Sequence, residues 1–132
     1  GSIINPTSSG NPQVSNYRGV LGINVPRAGG FSSNVGDELY VAMNGTIALV
    51  QEVVSGGTGN ISAGGGGGAP ALPGSRIFLS DQQQGKVALN SPQGAGDRVV
   101  QMGYLIDGTS ITINGNSYVK IMVQLLDEGE IF

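Results

Sequence analysis

Gly74-Ser75-Arg76-Ile77-Phe78-Leu79-Ser80, then Asp81 and three glutamines, then Gly85-Lys86-Val87-Ala88-Leu89 is the stretch that sets the reading of this chain. It has a counterpart upstream: Gly36-Asp37-Glu38-Leu39-Tyr40-Val41-Ala42, Met43-Asn44, and Gly45-Thr46-Ile47-Ala48-Leu49. In both, a glycine turn leads into a short strand with an aromatic in its middle. A second turn with glycine then leads into a strand ending Ala-Leu. Aromatic and β-branched residues between turn residues predict two β-hairpins. Asn44-Gly45 is the strongest short hairpin signal, because both residues tolerate the positive φ of a type I′ turn. The two copies start 38 residues apart. They read either as a duplicated unit in one barrel or sandwich, or as two hairpins that share only their turn chemistry.

Working outward, the rest of the chain keeps this character. Residues 20–25 predict a first strand, closed by Pro26, and the return strand of the first hairpin extends over residues 46–54. There Ile47, Leu49 and Gln51 fall on one face, and Ala48, Val50 and Glu52 on the other, which reads as a largely buried strand. Residues 97–106 predict a long strand with Gly103 as a bulge or bend. Asp107-Gly108 is expected to turn it into a short strand over 110–113. Asn114-Gly115 turns again into a last strand over 117–125, with Tyr118 opposite Val119, Ile121 and Val123. No stretch shows helical periodicity. The expected fold is all-β, a small barrel or sandwich of about eight short strands.

The chain has 132 residues, one domain's length, with 24 glycines and only 11% charged residues. Such a composition suits strands and turns better than amphipathic helices. Three parts are expected. Residues 1–18 form an extended arm rich in Ser, Asn, Pro and Gly, either disordered or ordered on another subunit. Residues 19–126 form the β domain, with a loop over 55–74 that carries nine glycines and reads as a flexible crossing or an exposed tip. Residues 127–132 form an acidic tail with Asp127, Glu128 and Glu130. The body before that tail balances six acids against six bases, so no basic stripe for nucleic acid is present. No apolar run reaches the ~18 residues of a membrane span. No signal peptide is visible, and Gly1 fits a myristoylation start poorly, since Asn5 stands where Ser or Thr is required.

Catalytic chemistry is thinly provided for. There is no histidine and no cysteine, which removes the commonest general base, thiolate nucleophiles and the usual transition-metal ligands. The run Gly64 to Gly68 is no phosphate loop, because neither Gly-Lys-Ser/Thr nor a helix start follows it. Lys86 and Lys120 sit at ordinary strand positions. Asp37, Asp81, Asp97 and Asp107 all stand beside glycine or at turns, where Asp serves local backbone bonds. A carboxylate pair for glycoside hydrolysis could be assembled from them, although their spacing does not favour it. The C-terminal acids lack the twelve-residue calcium-loop pattern. Asn44-Gly45-Thr46 and Asn60-Ile61-Ser62 are formal glycosylation sequons that turn chemistry explains as well. No cofactor and no metal are expected.

Gly36-Asp37-x-Leu39-Tyr40-Val41 with Asn44-Gly45-x-Ile47-Ala48-Leu49 resembles the small β domains of tailed-phage capsid decoration, or cement, proteins. Ile77-Phe78-Leu79-Ser80, Gly85-Lys86-Val87 and Gly96-Asp97-Arg98-Val99-Val100-Gln101-Met102-Gly103-Tyr104 extend the resemblance over residues 36–113. The same run is similar to phage tail-fibre and head-fibre modules. The resemblance implies a non-enzymatic virion structural protein, a homotrimer on the outer capsid surface that clamps the major capsid protein at local three-fold positions. The extended arm suits that role, and Ile3, Ile4, Val14, Tyr17 and Arg18 are the expected capsid or subunit contacts. A fibre module that binds a host surface receptor is the second reading. A polysaccharide-degrading enzyme is a third.

Overall fold

The computed structural model describes residues 20, 22–24, 41–53 and 59–131. The expected arm, with Ile3, Ile4, Val14, Tyr17 and Arg18, lies outside the described residues, as do Gly36 to Tyr40. Seven strands form among those described, and no helix: β1 (Ile23–Asn24), β2 (Val41–Ala42), β3 (Ile47–Gln51), β4 (Arg76–Leu79), β5 (Val87–Ala88), β6 (Arg98–Ile113) and β7 (Asn116–Glu130). The all-β expectation holds. All ladder pairings are antiparallel, in a two-stranded β1-β2 ribbon and a five-stranded sheet ordered β3-β7-β6-β4-β5.

The two longest strands build the frame. β6 and β7 are joined at Asn114-Gly115, where φ is +50° and +80°; both positive values make this the type I′ turn whose twist matches paired strands. Asp107-Gly108 does not reverse the chain, as expected from sequence. It sits inside β6, where the register against β7 shifts between Leu105 and Asp107 and again between Asp107 and Ile111. A further shift between Gln101 and Gly103 places the expected irregularity at Gly103. Each shift adds local bend and twist. The sheet thus curls until its last strand meets the exit of its first. Glu52 forms a parallel bridge with Val87, and the Val53 N–H donates to the Val87 carbonyl at 3.0 Å. The result is a small barrel whose two sheet edges meet at a single bridge.

The first expected hairpin is not one. Residues 43–46 do turn, with the Thr46 N–H donating to the Met43 carbonyl at 3.1 Å. Only Gly45 has positive φ, at +86°, so the turn is not type I′ and its arms diverge. β2 pairs with β1, while β3 pairs with β7 over Ile47↔Met122 to Gln51↔Tyr118. The second stretch is a true hairpin, with Phe78↔Ala88 and Leu79↔Val87 paired.

Alternation decides what the barrel encloses. Ala48 and Val50 of β3, Ile77 and Leu79 of β4, Val100, Met102 and Leu105 of β6, and Val119, Ile121 and Val123 of β7 form one core. Ile23 and Ala42 join it from the ribbon, and Ile61 from the glycine-rich segment. Burying a side chain of this size stabilises by roughly 1.5–3 kcal/mol. The outer face of β3 is not buried as expected: Ile47 is 54% exposed.

Described from Gly59 onward, the glycine-rich segment is a series of turns with an anchored base. The Gly64 N–H donates to the Ile61 carbonyl, the Gly65 N–H to Asn60, and the Gly66 and Gly68 N–H groups to Ala63. Residues 66–70 are exposed, as an exposed tip requires. The base is held by the fully buried Glu52. Its Oε2 accepts from the Ile61 and Ser62 N–H groups at 3.1 and 2.9 Å, and its Oε1 from the Ser62 and Ser117 hydroxyls at 2.6 and 2.7 Å.

Candidate functional site

Two surface features could engage another molecule: a polar cleft at one end of β4-β5, and an apolar row on the outer face of the sheet.

The cleft is built by two turns facing each other. After β4, Ser80 turns the chain by accepting the Gln82 and Gln83 N–H groups on its hydroxyl, both at 3.0 Å. Its own N–H donates to the Lys86 carbonyl at 3.0 Å. This closed loop presents Asp81, Gln82 and Gln83. Across from it, the turn over residues 94–97 is fixed by the Asp97 carboxylate, which accepts from the Gly94 N–H at 3.2 Å. The Ile131 N–H donates to the Asp97 carbonyl at 2.7 Å, tying that turn to the end of β7. The floor is Phe78, with Ala88 and Val53 beside it, and Arg76 lies over the Phe78 ring at 4.9 Å from its centroid. The cleft measures about 1010 Å³.

Sequence treated Asp81 and Asp97 as separate turn residues, but the fold brings them together. Burial pushes the Asp81 carboxyl above the ordinary carboxylate range, and a hydrogen bond and repulsion from Asp97 push it the same way. The Asp81 carboxyl therefore holds its proton to a higher pH than a free aspartate does. Asp107 stands apart. It is exposed, and the Thr109 N–H, donating to it at 2.9 Å, holds its carboxyl below the usual range. Asp37 lies outside the described residues. Among those described, no three acidic or other ligating side chains gather to hold a metal ion. The Gly64–Gly68 run spends several of its N–H groups on its own turns.

The apolar row crosses three strands in register. Ile47 of β3 lies opposite Met122 of β7, and Met122 opposite Tyr104 of β6. Ile47 is 54% and Tyr104 40% exposed, with Met122 half-buried. Arg76 of β4 continues the row opposite Tyr104 and pairs with Glu128. Near it Arg98 pairs with Asp127 at 2.9 Å; Asp127 and Glu128 thus stand on β7. Lys120 of β7 lies exposed on the same face. Alternation had shown that these strands carry apolar residues on both faces. It could not show that one face lacks a covering layer among the described residues.

Compared with protein-family models, with curated proteins and with solved structures, the chain matches none.

Proposed function

We propose that this chain is a virion structural protein of a tailed phage. It is a capsid decoration protein that binds the major capsid protein on the outer surface of the head and acts as a homotrimer. The observation that carries this reading is the in-register row Ile47, Met122 and Tyr104 on the outer sheet face. Apolar residues aligned across strands and bordered by charges match a protein-binding face better than a solvated one. Closed three-fold association multiplies three modest footprints into firm attachment. The sequence resemblance over residues 36–113 supplies the family context.

The test is sedimentation of the purified protein with expanded capsids that lack decoration. Wild-type protein co-sediments at a saturating copy number. Tyr104→Asp with Ile47→Asp lowers occupancy at least about tenfold at unchanged melting temperature, as expected for charges placed in an apolar contact. Failure of wild-type protein to co-sediment overturns the reading. A fibre module that recognises a host surface receptor is the second reading, favoured by the polar cleft.

A further inference from the structure

We propose that the cleft between the Ser80–Gln83 turn and the Asn90–Asp97 turn is a binding site for a neutral saccharide. It rests on other residues than capsid attachment, which uses the row Ile47, Met122 and Tyr104.

The lining decides the class of ligand. Gln82, Asn90 and Gln93 place three exposed primary amides around the cleft, and Asp81 and Asp97 add a carboxyl pair. Among the described residues no lysine or arginine lines it, so phosphate, sulfate and carboxylate ligands meet no compensating charge there and face two acids. Metal ions are disfavoured as well, since among the described residues no third ligating side chain joins the pair. A wholly apolar ligand would strip water from the amides without replacing their hydrogen bonds. What remains is a neutral molecule dense in groups that both donate and accept. The Gln82 and Gln93 amides each offer donor and acceptor on one plane, which suits adjacent hydroxyls on a ring. The floor of Phe78, Ala88 and Val53 is apolar and buried, with the Arg76 guanidinium over the Phe78 ring. The volume of about 1010 Å³ is ample for a sugar unit or two.

The walls of the cleft are held in place by the fold. Both turns are pinned through backbone bonds, by Ser80 on one side and by Asp97 and Ile131 on the other. The amides therefore project from fixed bases, which lowers the ordering cost of binding.

Saturation-transfer NMR with maltose, cellobiose, lactose and chitobiose, and an array of neutral glycans, tests this. Sialyllactose and inorganic phosphate serve as charged probes. At least one neutral saccharide is expected to bind, and to shift the side-chain amide resonances of Gln82 and Gln93 in the wild-type protein while leaving those of Asn114 and Asn116 at the far turn unmoved. In Gln82→Ala with Gln93→Ala, affinity falls about tenfold or more, as for the loss of one or two hydrogen bonds. Thr112→Ala, at the far end of β6, leaves it unchanged. The proposal is overturned if no neutral saccharide binds, if the charged probes bind equally well, or if the shifts map away from the cleft.

Discussion

The Ser117 hydroxyl donates to the Glu52 carboxylate at 2.7 Å, across 65 residues of chain. The same two residues also pair through the backbone, with the Glu52 N–H donating to the Ser117 carbonyl at 3.0 Å. Beside this contact the glycine-rich segment leaves the barrel, and two of its N–H groups and the Ser62 hydroxyl close on the same carboxylate. Glu52 is thus a buried acid that stands in for missing secondary structure. It gives a turn-rich segment the acceptors that a neighbouring strand would otherwise supply.

Removing those acceptors should be costly. Glu52→Ala leaves two buried N–H groups and two hydroxyls without their partner, and is expected to lose at least about 2 kcal/mol of stability. Glu52→Gln should keep much of it. Its oxygen can accept from Ile61 and Ser62, while its NH₂ donates to the two hydroxyls, which rotate to accept. Urea denaturation separates the two cases. Equal losses for both variants would show that charge, and not the pattern of acceptors, holds the segment.

Gly103 sits where β6 crosses closest to β7. A Cβ there would run into the Met122 carbonyl oxygen, which is fixed backbone. Gly103→Ala is expected to cost about 1–3 kcal/mol or more through forced separation of the strands. Hydrogen exchange should show the loss first in the amides of residues 101–105 and 122–124.

The Asp81–Asp97 pair sets a pH dependence of definite sign. Asp81 titrates above the ordinary value of 3.8 in the folded protein, so the native state holds its proton more tightly than the unfolded chain. The contribution is fully present below the unfolded value and is lost as pH rises through the folded one. Asp107, with a lowered folded value, works in the opposite direction. Comparing melting temperatures of wild type and Asp81→Asn from about pH 4 to pH 7 isolates the first effect. The variant should gain on the wild type as pH rises. A constant difference across that range would rule out a raised Asp81 value.

The two Asn-Gly turns offer a paired test. Gly115 has φ +80° within a type I′ hairpin, next to Asn114 at +50°. Gly115→Ala should destabilise the β6-β7 junction by about 1 kcal/mol, the cost of a Cβ in the left-handed region. Gly45→Ala, at φ +86°, should cost a similar amount. Asn44→Ala should also cost stability, for another reason: the Asn44 side-chain oxygen accepts the Leu125 N–H at 2.7 Å. Thermal melts of the three variants check these expectations.

Several features of this chain were readable from residue order alone. Glycine-rich, charge-poor composition dictates strands and turns. Alternation in Val119-Lys120-Ile121-Met122-Val123 assigns the inward face of β7, whereas β3, with apolar residues on both faces, read as buried throughout. The bend at Gly103 and the turn at Asn114-Gly115 follow from local steric freedom. All of these depend on backbone angles and side-chain period, which are properties of a few consecutive residues. Tertiary structure alone decided the rest. It sent the chain after Asn44-Gly45 to β7 instead of back along β2, and it ran β6 straight through Asp107-Gly108. It also closed the barrel at Glu52 and Val87, and set Asp81 against Asp97. Those outcomes depend on which edges remain open once the sheet has curled, and no local stretch carries that information.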